Sequence, residues 1–223
     1  MATTLAFDVY GTLIDTSGVT DVLQKHVGER AAGFAALWRE KQLEYSFRRG
    51  LMQRYEPFTV CTRNALDYAC NTFGIELTEA DKANLMAAYR SLPAFAEVAQ
   101  GLQAIQAAGY GMYAFSNGHP DDVENLLQHA NIRGFFIDVI SVHEVQSFKP
   151  DPMVYEHFLQ RSGAQANEAW LISSNPFDVI GAINVGMQAA WVKRSPAAVF
   201  DTWDIQPTAT VSGLTELTAV LSD

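Results

Sequence analysis

Helix-like and strand-like patterns alternate along the second half of the chain, and this alternation limits the fold more than any other feature. The apolar spacing predicts strands over 111–115, 136–141, 170–173, 188–192 and 208–211. It predicts helices over 97–108, 120–130, 151–162, 177–185 and 214–221. Such alternation is typical of βαβ units, which assemble into a parallel sheet with helices on both faces. We therefore expect an α/β fold with a doubly wound parallel sheet.

One more strand and a purely helical stretch precede this alternation. An apolar run that ends at Asp8 and is followed by a Gly-Thr turn predicts a buried central strand. Helical patterns then fill 20–49, 59–73 and 78–92, with no strand pattern between them. We therefore divide the chain into a Rossmann-like α/β core, formed by 1–15 plus 93–223, and an all-helical cap domain inserted over 16–92.

The balance of charges narrows the classes of partner. The chain carries 15 Lys and Arg against 25 Asp and Glu, a formal net charge of −10. Nucleic acids and anionic membranes do not attract such a protein, so we expect neither as a partner. Two cysteines, Cys61 and Cys70, indicate buried thiols instead of a disulfide framework or a zinc site. The chain shows no targeting pattern and no apolar segment of membrane-spanning length, which predicts a cytoplasmic protein.

Polar side chains cluster where four of the predicted strands end. They are Asp8 and Thr12, Ser116 and Asn117, Lys149, and Ser173, Ser174, Asn175 and Asp178. Taken singly, these residues have ordinary explanations: Asp8 could cap a turn, and Lys149 could be a surface lysine before a proline. Parallel strands, however, bring all of these groups to one edge of the sheet, where α/β proteins bind their ligands. A carboxylate, a lysine, hydroxyls and amides at that edge favour an active site.

Four motifs in this order resemble the haloacid dehalogenase superfamily. They are Phe7-Asp8-Val9-Tyr10-Gly11-Thr12-Leu13, Ser116-Asn117-Gly118, Lys149-Pro150-Asp151, and Ser173-Ser174-Asn175 followed by Asp178. The segment LWREKQLEY over 37–45 is similar to the cap signature of the L-2-haloacid dehalogenase branch, so the resemblance covers nearly the whole chain. It implies hydrolysis of short (S)-2-haloacids, as small-molecule substrates, to (R)-2-hydroxyacids and halide, with inversion at C2. It also allows a homodimer, because close relatives are often dimers.

The resemblance implies a covalent mechanism as well. Asp8 displaces the halide from C2 and forms an aspartyl ester, and water then attacks the carbonyl carbon of that ester. Lys149 keeps Asp8 ionised, since a nearby opposite charge favours the charged carboxylate. Asp178 holds Lys149 and orients or deprotonates the water. The polar shell around these groups is completed by Thr12, Tyr155, Ser173 and Asn175.

Arg39 interrupts an apolar stripe of its predicted helix. The residues at helical spacing around it are Ala35, Ala36, Leu43 and Phe47. A guanidinium in such a place needs an anion or an exit to water. Arg39 therefore either forms an internal salt bridge with Glu40 or Glu44, or reaches the substrate. The resemblance favours the second alternative, in which Arg39 binds the departing halide or the substrate carboxylate.

The resemblance assigns further residues to the substrate. Ser116, with the backbone N–H groups of Asn117 and Gly118, binds the substrate carboxylate. The remaining substrate-binding residues are Val9, Tyr10, Leu43, Phe58 and Phe177, of which the last four form an apolar wall. For Phe58, an ordinary position in the core remains the alternative. Glu40 and Phe177 stand where an amide and a Trp are frequent, so the halogen preference and chain-length range of the family do not carry over.

Other functions fit the same fold. A Mg²⁺-dependent phosphatase of the superfamily has a second Asp two residues after the nucleophile, but here Tyr10 stands there, and a phenol with a pKa of about 10 is a poor acid or base at neutral pH. Asp178 is the only carboxylate of the last motif and Lys149 competes for it, so we expect no metal and no cofactor. A catalytically silent module that binds an organic acid is another alternative. A serine hydrolase is disfavoured, because the chain lacks a Gly-x-Ser-x-Gly motif.

Overall fold

A single parallel sheet of six strands carries the fold in the computed structural model, which describes residues 3–221. The strands are β1 (Thr4–Phe7), β2 (Gly111–Ser116), β3 (Asp138–Ser141), β4 (Ala169–Ser173), β5 (Gln188–Val192) and β6 (Ala209–Val211). Their order is β3-β2-β1-β4-β5-β6, and every neighbouring pair is parallel. The chain moves outward in opposite directions from β1, so β1 ends at the switch point where α/β sheets bind ligands. The expected doubly wound α/β fold is confirmed.

Nine α-helices accompany the sheet in the part of the chain that the structure describes. They are α1 (Gly18–Val27), α2 (Ala31–Leu51), α3 (Phe58–Phe73), α4 (Glu79–Ala88), α5 (Val98–Ala107), α6 (Pro120–His129), α7 (Pro152–Ser162), α8 (Pro176–Asn184) and α9 (Leu217–Val220). The single helix predicted over 20–49 is wrong. It breaks at Gly28, whose φ of 59° lies in the left-handed region that favours glycine, and α2 begins after one 3₁₀ turn.

The chain leaves the sheet before α1 and returns to it after α4 through two connections that lie side by side. The backbone N–H of Asp15 donates to the carbonyl of Pro93 at 2.9 Å, and that of Phe95 donates to the carbonyl of Leu13 at 3.0 Å. A strand-like bridge pairs Ile14 with residue 94 between them. The boundaries predicted at 15/16 and 92/93 fall within these paired connections, and the division into two domains stays a prediction.

Strand β1 is buried on both faces, which explains its unbroken apolar sequence. Leu5 and Phe7 belong to one apolar cluster, whereas Ala6 belongs to a second cluster on the other face, because successive side chains of a strand point to opposite sides. Asp8 follows directly and is therefore anchored by a buried central strand of the sheet.

Two further expectations concern the cysteines and the membrane. Cys61 and Cys70 are buried thiols on α3, as expected, and burial raises the pKa of Cys61 to about 11. Within residues 3–221, none of the helices combines the length and the apolar character needed to cross a bilayer.

Candidate active site

Asp8 lies at the centre of the polar residues that the strand ends bring together. Its Oδ2 accepts hydrogen bonds from Thr12 Oγ1 and from Asn175 Nδ2, each at 2.8 Å. Its Oδ1 contacts only the ammonium of Lys149, at 3.3 Å, among the described residues. The two oxygens are therefore not equivalent: Oδ2 is held by two donors, and Oδ1 is the less engaged atom.

The turn after β1 fixes the hydroxyl of Thr12. Gly11 has a φ of 82°, which a glycine adopts without strain, and the chain curls so that Thr12 points back at Asp8. Thr12 Oγ1 accepts the backbone N–H of Ser174 at 2.8 Å, and Ser174 Oγ donates to the carbonyl of Gly11, also at 2.8 Å. Because the Thr12 oxygen is an acceptor there, its own proton is available to Asp8. Ser174 belonged to the predicted polar cluster, but no role was predicted for it. Its position next to Ser173, which had a predicted role, could have identified it.

Lys149 is buried, with 1 % of its side chain exposed, and all three of its protons find acceptors. They are the Asp178 carboxylate at 2.8 Å, the carbonyl of Phe115 at 2.9 Å and Asp8 Oδ1 at 3.3 Å. The ammonium also lies 4.2 Å from the centroid of the Phe115 ring. A surface position before a proline, the ordinary explanation of this lysine, is therefore wrong.

Asp178 and Tyr155 form the rear of this cluster. Asp178 is fully buried and accepts the hydroxyl of Tyr155 on Oδ1 at 2.8 Å and Lys149 on Oδ2. Burial raises the pKa of Asp178, and the charge of Lys149 opposes this rise. Burial, then the charge of Asp178, raises the pKa of Tyr155 well above its ordinary value, so Tyr155 is a neutral donor. The Lys149 ammonium occupies the space between the Asp8 and Asp178 carboxylates, so this donor set does not fit a bridging divalent cation.

The side chains of Ser116, Asn117 and Ser173 brace the loops around Asp8. Ser116 Oγ accepts the N–H of Gly118 at 3.0 Å, Asn117 Oδ1 accepts the N–H of Lys149 at 3.0 Å, and Ser173 Oγ accepts the N–H of Asn175 at 3.1 Å. The Gly118 N–H expected to bind substrate is thus engaged within the loop. The backbone N–H groups of Val9 and Asn117 donate to no other residue in 3–221.

A small cavity beside this cluster collects three of the expected substrate-binding residues. It has a volume of about 70 Å³, and Tyr10, Arg39 and Phe58 lie in its wall. Burial, and then the charge of Asp122, raises the pKa of Tyr10, so its phenol is neutral. Two expected wall residues lie elsewhere. Phe177 packs edge-on against Phe47, with ring centroids 5.0 Å apart, in a separate cavity of about 1130 Å³ that also reaches Lys149, and Leu43 lines neither cavity.

Arg39 forms no ion pair with any described residue, which removes the internal salt bridge as an explanation. Glu44 is paired instead with Lys41 and Arg48. The one hydrogen bond that the structure shows for Arg39 runs from Nη1 to Gln42 Oε1 at 3.5 Å. The Arg39 guanidinium therefore faces the small cavity, and no described residue neutralises its positive charge.

Gln42 is a residue that the sequence analysis missed. It is fully buried, and its Nε2 donates to the hydroxyl of Tyr89 at 3.0 Å while its Oε1 accepts from Arg39. The signal was a polar residue on the buried face of α2. That face consists of Ala31, Phe34, Trp38, Gln42 and Ser46. A buried amide needs hydrogen-bond partners. Gln42 is held by Tyr89, and its contact with Arg39 in turn orients the guanidinium.

Comparisons with known proteins agree with this geometry. Residues 2–186 match the family of haloacid dehalogenase-like hydrolases. The (S)-2-haloacid dehalogenase of Pseudomonas fluorescens is 36% identical over 211 residues, which cover 95% of this chain and 92% of that protein. Haloacetate dehalogenase H-2 of Moraxella sp. (strain B) is 35% identical, over 85% of each chain.

Solved structures give the same result. The L-2-haloacid dehalogenase from Xanthobacter autotrophicus with chloropropionic acid covalently bound superposes with a TM-score of 0.93 at 32% identity. The alignment covers 100% of this chain and 99% of that one. From its motifs, its fold and these relatives, the chain belongs to the haloacid dehalogenase-like hydrolases, in the branch of the L-2-haloacid dehalogenases.

Proposed function

We propose that this protein hydrolyses short (S)-2-haloacids to (R)-2-hydroxyacids and halide through an ester on Asp8. The observation that carries the proposal is the unequal engagement of the two Asp8 oxygens. An in-line displacement needs a carboxylate oxygen that is not held by several donors, and Oδ1 has only the Lys149 ammonium beside it among the described residues, whereas Oδ2 is held by two donors. The relatives named above are (S)-2-haloacid and haloacetate dehalogenases, and one related structure holds chloropropionic acid covalently.

In the first step, Asp8 Oδ1 attacks C2 of the substrate from the side opposite the halogen. The new O–C2 bond forms as the carbon–halogen bond breaks, the halide leaves with the bonding electrons, and the configuration at C2 inverts. Lys149, 3.3 Å from Oδ1, places a positive charge beside the attacking carboxylate. Once the ester has formed, Lys149 keeps Asp178 as its counter-charge at 2.8 Å.

In the second step, water attacks the Cγ carbon of the Asp8 ester. Negative charge then develops on Oδ2, where Thr12 Oγ1 and Asn175 Nδ2 already donate. Preorganised donors at the position of a developing oxyanion are an effective form of catalysis. Asp178 takes a proton from the water, for which its raised pKa suits it, and the departing hydroxyacid oxygen is protonated in turn. The water oxygen stays in the Asp8 carboxylate.

The substrate is oriented by groups at its two ends. Ser116 Oγ and the backbone N–H groups of Val9 and Asn117 bind the carboxylate, because donors just past a strand form an anion site. Arg39 then faces the halogen in the small cavity, beside Tyr10 and Phe58. The roles of Leu43 and Phe177 as further apolar wall residues stay predictions.

A single turnover in H₂¹⁸O, with enzyme in excess over (S)-2-chloropropionate, tests the covalent step. The lactate formed should contain no ¹⁸O, and mass spectrometry should find the label in the peptide that carries Asp8. Label appearing directly in lactate would contradict the ester. Asp8→Asn should release no halide, whereas the matched Asp204→Asn change at an exposed position should leave the rate unaltered.

The phosphatase of the same superfamily is disfavoured by two features of the site. Tyr10 replaces the second Asp, and burial makes its phenol a still weaker acid. Lys149 takes the space between Asp8 and Asp178. Halide release should therefore be insensitive to EDTA, and hydrolysis of p-nitrophenyl phosphate with Mg²⁺ should be undetectable. EDTA-sensitive phosphate release would support the phosphatase instead.

We extend the proposal to location and assembly. The sequence supports a cytoplasmic protein that binds neither nucleic acid nor membranes, and the resemblance supports a homodimer. Cell fractionation tests the location. Sedimentation equilibrium tests the assembly, since a dimer has twice the 24.6 kDa mass of the chain.

A further inference from the structure

A fifth strand end reaches the edge of the sheet where Asp8 lies. Strand β5 ends at Val192, and Arg194 follows two residues later. Parallel strands bring the residues that follow them to the same edge, so this arginine comes close to the turn after β1. Its side chain is only 15 % exposed, and its Nη2 donates to the backbone carbonyl of Thr12. Arg194 therefore contacts the turn that carries a hydrogen-bond donor to Asp8.

Two other groups hold the Arg194 guanidinium in place. Its Nη1 donates to Glu97 Oε1, which forms an ion pair with a carboxylate at the start of α5. The guanidinium carbon also lies 4.1 Å from the centroid of the Phe95 ring, a favourable distance for a cation over an aromatic face. Because Glu97 neutralises the charge of Arg194, this arginine acts on the site through its position and not through its charge.

The contact with Thr12 holds one of the two peptide groups that flank the Thr12 side chain. Ser174 Oγ donates to the carbonyl of Gly11 on one side at 2.8 Å, and Arg194 donates to the carbonyl of Thr12 on the other. The N–H groups of the same two peptides both turn inward to the carbonyl of Val9, at 3.3 and 2.9 Å. The direction of Thr12 Cβ is therefore tied to neighbouring loops by Ser174 and by Arg194.

The direction of the Thr12 side chain bears on one chemical step. Thr12 Oγ1 donates to Asp8 Oδ2 at 2.8 Å, and charge develops on this oxygen when water attacks the ester. Gly11 beside it has a φ of 82°, and a glycine allows a wide range of backbone conformations. The turn therefore depends on contacts from outside to keep the hydroxyl aimed at Oδ2. A misplacement of about 1 Å can cost about 10²-fold in rate.

We propose that Arg194 is a positioning residue for ester hydrolysis, which keeps the Thr12 hydroxyl on Asp8 Oδ2 by fixing the Thr12 carbonyl. This inference rests on the proposed function. Within residues 3–221, Arg194 forms no hydrogen bond or ion pair with Asp8 itself. Its loss should therefore leave ester formation nearly unaltered and slow the second step.

Quench-flow with intact-protein mass spectrometry measures the rates of ester formation and ester hydrolysis separately, in single turnovers of (S)-2-chloropropionate with enzyme in excess. Arg194→Met should lower the ratio of the hydrolysis rate to the formation rate by about 10- to 100-fold, so that the ester accumulates. Arg194→Lys should lower this ratio less, because an ammonium can still donate to the Thr12 carbonyl but lacks the rigid fork that also holds Glu97. If Arg194→Met does not fold, the ratio in Arg194→Lys decides.

A Thr12→Val background tests whether Arg194 acts through the Thr12 hydroxyl. This change removes the hydroxyl and keeps a side chain of similar shape. Two changes that act through one interaction are not additive, so Arg194→Met should leave the ratio nearly unaltered in this background. A further fall as large as that in the parent protein would overturn the inference, because Arg194 would then act on hydrolysis by another route.

Arg133→Met is the matched control. Arg133 makes the same two kinds of contact, from Nε to Glu124 at 2.5 Å and from Nη1 to the carbonyl of Phe136 at 2.7 Å. Phe136 precedes β3, so these contacts lie at the opposite edge of the sheet from Asp8. The control should leave the ratio of the two rates unchanged.

The outcomes separate this inference from the proposed function. A ratio that falls in neither Arg194 variant, as when both steps slow equally, would overturn the inference while the proposed function stands. A fall of the same size in Arg133→Met would do the same. Absence of halide release by the unaltered protein would instead refute the proposed function, and the inference with it.

Discussion

Replacing Asn175 by Ala should separate the two chemical steps. Asn175 Nδ2 donates to Asp8 Oδ2 at 2.8 Å, and Thr12 supplies the second donor at the same distance. In the first step, negative charge leaves the carboxylate, so a donor that stabilises this charge does not assist the attack. In the second step, charge develops on Oδ2, so the same donor assists. Loss of Asn175 should therefore slow ester hydrolysis and leave ester formation nearly unaltered.

The magnitude follows from the number of donors. Removing one of two oxyanion donors costs about 10²- to 10³-fold in rate, or about 2.7–4 kcal/mol. Asn175→Ala should then release halide in a burst equal to the enzyme concentration, followed by slow turnover. Intact-protein mass spectrometry should show the ester accumulating. The Asn175 backbone is held by Ser173 Oγ whatever the side chain, so the loop should remain in place.

The matched control is Asn167→Ala, which removes the same side chain from an exposed position. It should show neither a burst nor an ester. Our assignment of Oδ2 would be refuted if Asn175→Ala lost halide release and product formation to the same extent, with no ester detected. That outcome would mean that Asn175 supports the nucleophile and not the hydrolytic step.

Three further predictions concern the lysine, the arginine and the phenol. Lys149→Met should abolish halide release and lower the free energy of unfolding by about 3–5 kcal/mol in urea titrations, because two buried carboxylates lose their shared cation. Gln42→Glu should lower kcat/KM more than Gln42→Leu, since a carboxylate would pair with Arg39 and neutralise it; equal losses, or recovery of activity in Gln42→Glu, would contradict a positioning role. Burial raises the pKa of Tyr10, so above pH 10 this phenol loses its proton more readily in the unfolded chain than in the folded protein, and the free energy of unfolding falls as the pH rises. Tyr10→Phe should reduce this fall by up to about 1.4 kcal/mol per pH unit in denaturant titrations.

Much of the fold followed from local patterns. The alternation of strand and helix patterns predicts a parallel sheet, because the periodicity of apolar residues and the turn residues are local features of the sequence. Asp8, Lys149 and Asn175 each follow a strand-like segment, which predicts that they meet at one edge of that sheet. The helix break at Gly28 was missed, since the apolar spacing continues across it and only the left-handed φ shows the interruption. The assembled Asp8–Lys149 contact, across 141 positions of the chain, was expected from motif order.

The sequence by itself therefore determined the fold class, the family resemblance and the residue types of the reacting cluster. Tertiary structure alone decided which Asp8 oxygen is left for attack and that Gln42 contacts Arg39. The physical reason is that these contacts depend on how the loops after the strands, and α2 beside them, lie against one another. That arrangement is set by the packing of apolar side chains distant in sequence, and no local periodicity encodes it.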